Sequence, residues 1–259
     1  MTKSSIIYLS IFIFSSFSSY SYGNTPRVFA VIIGIADYSG YSADLKYADD
    51  DARLFRTYLL KAMPNETSRG KVTLLLNGQA TRQAVLTALS SHFRQASASD
   101  FILFYFSGHG SPGRFIPHDH SQNFISHKEI KDLFLLSKAR YKICIADACF
   151  SGSILNGESS QGSFNNMMQI NDANIAVIMS SKPSQTSSEQ SSLKQGLFSY
   201  FLIKGLLGGG DLNRDSYVTV GELFKYTLAK TKQQSGGSQV PVILGNNLDR
   251  IPLARIKRN

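Results

Sequence analysis

Two apolar, β-prone runs end abruptly in small polar residues, and this pattern constrains the fold more than any other feature of the chain. Residues 100–106, DFILFYF, are followed by Ser-Gly-His-Gly, and residues 141–146, YKICIA, are followed by Asp-Ala-Cys-Phe-Ser-Gly. Runs of this length and composition are typical of buried strands. Such strands deliver their last side chains to the carboxyl edge of a sheet, where open α/β folds bind ligands. The pattern therefore predicts an α/β protein with a site at that edge.

Cys149 and His109 are the two side chains at these strand ends that can carry chemistry. A lone cysteine usually packs as a small core hydrophobe, but Asp147 and Ser151 on either side argue against an apolar site. His109 lies between two glycines, which leave the backbone open to a ligand. A thiol needs a base within hydrogen-bond reach to become a nucleophile. If the two strands are parallel, His109 is that base, and the backbone N–H groups of Gly110 and Cys149 can bind an oxyanion.

The segments FSGHG and DACFSG resemble the motifs of the caspase-like cysteine peptidases, most closely their bacterial metacaspase-type members. The resemblance covers most of the chain, from about Arg27 to Ala254. It implies an α/β fold of the caspase–hemoglobinase type, a three-layer sandwich with a mostly parallel central sheet flanked by helices. It also implies a catalytic dyad of Cys149 and His109.

Two aspartates are expected to decide which substrate the site accepts. Asp147 stands two residues before Cys149, so in a strand the two side chains project on the same side. The segment LKYADDDA resembles the family motif whose aspartate enters the specificity pocket, which gives that role to Asp51, although the family often has Gly-Cys in place of Tyr47 and Ala48. Two carboxylates in a partly desolvated pocket favour a bound Arg or Lys and penalise Asp. Metacaspases cleave after Arg or Lys, so we expect peptide or protein substrates cut after these residues.

Residues 211–222, DLNRDSYVTVGE, carry oxygen side chains at positions where a calcium-binding loop needs them. The candidate ligands are Asp211, Asn213, Asp215 and Glu222. Ser216 replaces the glycine that such loops require at position six. The alternative is a turn held by side-chain hydrogen bonds ahead of a helix.

His118, Asp119 and His120 form a weaker metal candidate, because no third ligand follows at a fixed helical spacing. Members of the family usually carry an aspartate near Asp119 in a structural role. The expected cysteine chemistry requires no cofactor. Calcium is the only ion that we consider as a possible ligand.

The first 23 residues are interpreted as a secretory signal peptide and residues 24–259 as one caspase-like peptidase domain. Lys3 gives a positive start, an apolar stretch follows, and Ser21 to Gly23 form a small-x-small cleavage site before Asn24. The apolar stretch is shorter than the roughly 20 residues that a membrane span needs. We therefore expect an exported protein, periplasmic or secreted, without a transmembrane span in the mature chain. The alternative is an uncleaved membrane anchor.

The net charge of +9 does not by itself identify a partner. A basic surface can attract nucleic acid or anionic membrane, but the chain has no nucleic-acid motif and no basic run beyond the terminal RIKRN. No nucleic-acid partner is expected.

Cys144 lies inside a predicted strand and Cys149 beyond its end, so a disulfide between them would need distortion. Cys144 is therefore interpreted as a buried strand residue.

The distribution of basic residues limits self-processing by an Arg/Lys-specific enzyme. No Lys or Arg occurs between Lys142 and Lys182, so residues 151–172 cannot be cut. Self-processing would fall at Lys182 or Lys194.

Two alternative functions remain: a catalytically silent binding module of the same fold that interacts with a protein partner, and a cysteine-based hydrolase or transferase acting on another bond.

Overall fold

The structure is a computed structural model that describes residues 25–38, 40, 44–111, 113–120, 123–148, 175–180, 189–190 and 193–256. The predicted signal peptide and Cys149 lie outside these residues. The strands are β1 (Val28–Gly34), β2 (Lys71–Leu76), β3 (Phe101–Ser107), β4 (Gly110–Ser111), β5 (Arg114–Phe115), β6 (Ile125–Ser126), β7 (Tyr141–Asp147), β8 (Ile175–Met179), β9 (Glu189–Gln190), β10 (Gln195–Gly196), β11 (Tyr217–Thr219), β12 (Val242–Gly245) and β13 (Pro252–Arg255). The helices are α1 (Ala48–Ala62), α2 (Pro64–Arg69), α3 (Arg82–Gln95), α4 (His127–Leu136), α5 (Leu197–Lys204) and α6 (Val220–Gln234).

Six strands form a central sheet in the order β12-β8-β7-β3-β1-β2. All neighbouring pairs are parallel except β12, which runs antiparallel to β8. Gly34 pairs with Ser107, and Ser107 pairs with Asp147. The carboxyl ends of β1, β3 and β7 are therefore level, which places the residues that follow them at one edge.

Helices cover both faces of the sheet. Buried apolar side chains of α3 and α4 pack on one face, and those of α1, α5 and α6 pack on the other. Because both faces are covered, the central strands are continuous apolar runs rather than alternating ones. The predicted α/β three-layer sandwich with a mostly parallel sheet is confirmed.

Two helix starts follow local signals in the sequence, which predict Thr81 as a cap and Ser126 with Glu129 as a capping box. The Thr81 hydroxyl accepts a hydrogen bond from the Ala84 N–H at the start of α3. Ser126 and Glu129 form a reciprocal capping box at the start of α4. The spacing of apolar residues predicts a helix from Leu45 to Leu60, but α1 begins only at Ala48. Helix α2 is a short additional helix that starts with Pro64.

The sequence predicts that residues 241–244 and the closing apolar residues complete the central sheet, and the structure confirms only the first part. Strand β12 does join the sheet, but β13 pairs with β11 in a separate two-stranded ribbon. Gly245 and Asn247 have positive φ and turn the chain away after β12. Leu253 and Ala254 of β13 then pack with the helices on one face of the sheet, which explains why they are apolar although they do not belong to the central sheet.

The apolar run of residues 196–207 predicts a helix, which is shorter in the structure. Helix α5 ends at Lys204 and continues as a π-helical turn over Gly205–Gly209, where Gly208 has a φ of 118°. Across the described parts of the chain, no helix combines the length and apolar composition needed to cross a bilayer.

Candidate active site

His109 lies at the carboxyl edge of the sheet, two residues beyond the end of β3. The Gly108 N–H donates to the Asp147 carbonyl at 3.2 Å, so the pairing of β3 with β7 continues up to the residue before His109. The chain leaves these two adjacent parallel strands at the same edge. Cys149 follows the end of β7 by two residues and is not among the described residues. Its contact with His109 stays a prediction.

Gly110, the predicted oxyanion donor, begins the short strand β4. The Ile116 N–H donates to the His109 carbonyl at 3.0 Å, and Gly110 pairs with Phe115. Since hydrogen-bonded and non-hydrogen-bonded pairs alternate along an antiparallel ladder, Gly110 and Phe115 form a non-hydrogen-bonded pair. The Gly110 N–H therefore points away from β5, and its role as an oxyanion donor stays a prediction.

Asp51 and Asp147, here called the acidic pair, are both buried, with exposed fractions of 1% and 7%. Asp51 lies in the first turn of α1, and Asp147 is the last residue of β7. The structure brings the two side chains together around Gly196. A Cβ atom added there would lie 2.8 Å from the Oδ2 atom of each aspartate, so the two carboxylates converge on one point.

The start of α5 holds the acidic pair in place. The Gly196 N–H donates to Asp51 Oδ2 at 3.0 Å. The Ser199 hydroxyl and N–H donate to Asp147 Oδ2 at 2.8 and 3.3 Å. Backbone N–H groups at a helix start carry a partial positive charge. The first turn of α5 thus offsets part of the repulsion between two buried carboxylates.

The charges of the acidic pair also affect the pKa of the buried Tyr105. Its hydroxyl lies 2.7 Å from the Ser199 hydroxyl in the interior of the protein. Burial raises the pKa of Tyr105 well above its ordinary value, and the charges of Asp51 and Asp147 raise it further. Both aspartates therefore act on the same buried location.

Three residues near these groups carry no strong sequence signal. Tyr38, in the loop after β1, accepts a hydrogen bond from the His109 N–H at 2.7 Å. Gly196 and Ser199 contact the acidic pair from a distant part of the chain. A glycine and a serine ahead of an apolar helix suggest a cap, but no local pattern indicates which carboxylates they meet.

The predicted calcium loop forms a turn ahead of α6, as the alternative interpretation expected. Asn213 Oδ1 accepts from the Asp215 N–H and Asp215 Oδ1 from the Tyr217 N–H, each at 2.8 Å. Ser216 has a φ of 73°, the left-handed conformation for which such loops use glycine. Glu222 forms a capping box with Thr219. Calcium binding stays a prediction.

Of the three residues His118, Asp119 and His120, Asp119 has a structural role. Its carboxylate accepts the N–H of Arg82 at 2.7 Å and so caps the first turn of α3. Among the residues that the structure describes, no three or more His, Cys, Asp and Glu side chains are grouped so that they could hold a metal ion.

Comparisons with known proteins agree with the fold. A crystal structure of a protein from Geobacter sulfurreducens has a TM-score of 0.63 and 15% identity, covering 90% of this chain and 100% of that chain. Caspase-1 from Spodoptera frugiperda has a TM-score of 0.61 and 16% identity, covering 90% and 91%. No curated protein matches the chain. A family model described as the caspase domain matches residues 27–251, and because it spans most of the chain, the protein belongs to the caspase family.

Proposed function

We propose that the protein is a cysteine endopeptidase that hydrolyses peptide bonds after Arg or Lys. Membership of the caspase family supports peptidase activity on protein substrates. The observation that carries the proposed specificity is the convergence of Asp51 and Asp147 around Gly196, at the sheet edge from which His109 also emerges.

The acidic pair suits a cationic side chain for electrostatic reasons. A guanidinium or ammonium group would pair with carboxylates that are largely removed from water, and such charge-assisted hydrogen bonds are strong. A substrate aspartate would add a third negative charge without a partner, which costs several kcal/mol in a buried site.

The proposed reaction uses Cys149 as the nucleophile and His109 as the base and acid. The imidazole takes the thiol proton, the sulfur attacks the carbonyl carbon, and the N–H groups of Gly110 and Cys149 bind the resulting oxyanion. His109 then passes the proton to the leaving amine as the C–N bond breaks. Water hydrolyses the thioester and regenerates the thiol.

Four reporter peptides that differ only in the residue before the cleaved bond test this proposal. With Arg, Lys, norleucine and Asp at that position, we expect the purified enzyme to cleave the Arg and Lys peptides and a Cys149→Ala variant to cleave none. Faster cleavage of the Asp peptide would contradict the specificity. A folded protein inactive on all four would favour the silent binding module.

We also propose that the protein is exported and that its leader is removed before Asn24. The charged start, apolar stretch and small-x-small site of residues 1–23 support this proposal. Fractionation of a bacterium that expresses the full chain, followed by N-terminal sequencing, tests it. We expect a chain that starts at Asn24 outside the cytoplasm, whereas an intact chain in the membrane fraction would indicate an anchor.

A further inference from the structure

We propose that Tyr38 is a positioning residue for His109: its hydroxyl is built into the backbone hydrogen bonds of the hairpin that carries the imidazole. The inference rests on the proposed function, in which His109 is the catalytic base. It concerns a side chain from the loop after β1, outside the segments that carry the nucleophile, the base and the acidic pair.

The Tyr38 hydroxyl joins the two sides of this hairpin. It accepts a hydrogen bond from the His109 N–H at 2.7 Å and donates one to the Ile116 carbonyl at 3.3 Å. On the other side of the same residue pair, the Ile116 N–H donates directly to the His109 carbonyl at 3.0 Å. All four backbone groups that His109 and Ile116 present to each other are therefore engaged.

A regular antiparallel ladder would need no side chain at this position. In a hydrogen-bonded pair the two residues exchange both N–H···O bonds directly. Here one of the two bonds passes through the Tyr38 hydroxyl, so the hairpin is held open on the His109 N–H side. The hydroxyl thus fixes the backbone at the residue whose side chain must be aligned.

The Tyr38 ring adds a contact with the imidazole itself. The ring centroids of Tyr38 and His109 lie 4.9 Å apart with an interplanar angle of 43°. Tyr38 is only 2% exposed, and its own N–H donates to Asp44 Oδ1 at 3.0 Å. The tyrosine is therefore anchored independently of His109 and can act as a fixed reference for it.

The same geometry explains the glycine that precedes His109. A Cβ atom added to Gly108 would lie 2.6 Å from the Tyr38 hydroxyl oxygen, which is shorter than real contacts allow. Any other residue at this position would displace the hydroxyl. The first glycine of the Gly-His-Gly segment thus makes room for the positioning contact.

The variant Tyr38→Phe tests the inference on the full chain, because it removes the hydroxyl and keeps the ring. Misplacing a catalytic group by a small distance can cost up to about 100-fold in rate, so we expect kcat on the arginyl peptide to fall about tenfold or more. KM should stay within about twofold, because the acidic pair is untouched.

The matched control is Tyr58→Phe. The Tyr58 hydroxyl is also buried and donates to a backbone carbonyl, that of Leu206. We expect this variant to lose some stability and to keep its kcat per folded molecule. Equal kcat in wild type and Tyr38→Phe, or equal losses in the two variants, would overturn the inference.

Nuclear magnetic resonance of protein labelled at the histidine ring carbons gives a readout that needs no substrate. We expect Tyr38→Phe to shift or broaden the His109 signal, while the signal of His92 on α3, whose Nε2 lies 2.9 Å from the Thr73 hydroxyl of β2, stays unchanged. If wild type cleaves nothing, the proposed function fails and this comparison still decides the role of Tyr38. An unchanged His109 signal would overturn it.

Should Tyr38→Phe not fold, amide hydrogen exchange of the wild-type protein replaces the variant. A His109 amide that is protected from exchange agrees with the hydrogen bond to Tyr38. A His109 amide that exchanges as fast as an unstructured peptide would overturn the inference.

Discussion

At the scale of single residues, two buried carboxylates that converge on one point repel each other, so they need hydrogen-bond donors that offset the repulsion. Asp51 and Asp147 receive it from the N–H groups of Gly196 and Ser199 and from the Ser199 hydroxyl. The same atoms that fix the start of α5 are those proposed to bind a substrate cation. Binding specificity and local structure are therefore coupled, and substitutions that keep the shape of the side chain are the most informative.

The charge of Asp147 should control specificity. Asp147→Asn keeps an oxygen acceptor for Ser199 but removes the negative charge, so we expect kcat/KM on the arginyl peptide to fall about 100-fold, the order of loss when one buried charge partner is removed. Cleavage of the norleucyl peptide should change little. The control is Asp50→Asn, which removes an exposed charge from the same turn of α1 as Asp51. An unchanged ratio of arginyl to norleucyl cleavage would refute the assignment.

The missing side chain of Gly196 should be needed for substrate binding. In Gly196→Ala the methyl group would lie 2.8 Å from an oxygen of both aspartates, in the space that a substrate cation would approach. We expect KM for the arginyl peptide to rise about tenfold or more, in line with the cost of overpacking a close-packed site. Gly78→Ala is the control, because its methyl group would meet only His118 at 3.8 Å, an ordinary contact. Equal KM values in the two variants would contradict the placement of the cation.

At this scale the sequence indicates the residues that follow strand ends, but not their distant partners. His109, Asp147 and Asp51 stand out because polar groups after apolar runs, or in a known motif, are conspicuous. Tyr38 and Ser199 do not, since their roles depend on loops and helices that meet only in the folded chain. Cys149 is identified by its motif, and its geometry stays a prediction.

At the scale of elements, one ion pair anchors the amino-terminal ends of the central strands. Arg27 precedes β1, and its side chain and N–H bond the Asp100 carboxylate, which precedes β3. Burial alone would raise the pKa of Asp100, but the hydrogen bonds from Arg27 and Ser97 lower it to about 2. This cluster lies at the opposite end of the strands from the candidate site, so it can be tested for stability separately from activity.

Asp100 should stabilise the fold in a pH-dependent way. Because its folded pKa is below the unfolded value of about 4, its contribution is fully present above pH 4 and is lost as the pH falls towards 2. Arg27 is 35% exposed and partly screened, so we expect Asp100→Asn to lower the free energy of unfolding by about 1 to 2 kcal/mol at pH 7. The loss should shrink as the pH approaches 2.

Urea denaturation at several pH values measures this effect. The control is Asp132→Asn, which removes an exposed ion pair with Lys128 and should change stability little. A loss that stays constant from pH 7 to pH 2 would show that the charge of Asp100 is not responsible.

Elements differ in how far the sequence could predict them. The caps at Thr81 and Ser126 are local, since the capping atoms lie within one turn, and both were predicted. The pairing of β13 with β11 was not predicted. The apolar residues of β13 suit either the central sheet or this ribbon, and only the turn after β12 decides between them.

At the scale of the whole molecule, the described turn at Lys194 is the better candidate for self-processing. Lys194 is exposed, has a φ of 51° and immediately precedes β10. Lys182 lies outside the described residues and is followed by Pro183, whose ring crowds the bond to be cut. We therefore expect active protein to produce a fragment that begins at Gln195.

N-terminal sequencing of fragments from purified protein checks this expectation. The fragment should be absent from Cys149→Ala and from Lys194→Gln preparations. A cut within residues 151–172 that depends on Cys149 would contradict the Arg/Lys specificity, because no Lys or Arg occurs there.

The overall architecture was predictable because the resemblance to the caspase-like peptidases implies the three-layer sandwich, and the apolar runs that end in small polar residues agree with it. The placement of β10 and α5 against the acidic pair was not, because it depends on contacts between residues far apart in sequence.

The alkylation rate of Cys149 tests the central claim most directly, namely that its sulfur and the His109 imidazole act together. We expect iodoacetamide to modify Cys149 at pH 6 to 7 faster than it modifies a free cysteine, and the rate to fall to that of free cysteine in His109→Ala. Cys144 is an internal control that should not react, because it is only 1% exposed and burial raises its pKa to about 12. Equal Cys149 rates in wild type and His109→Ala would contradict the account.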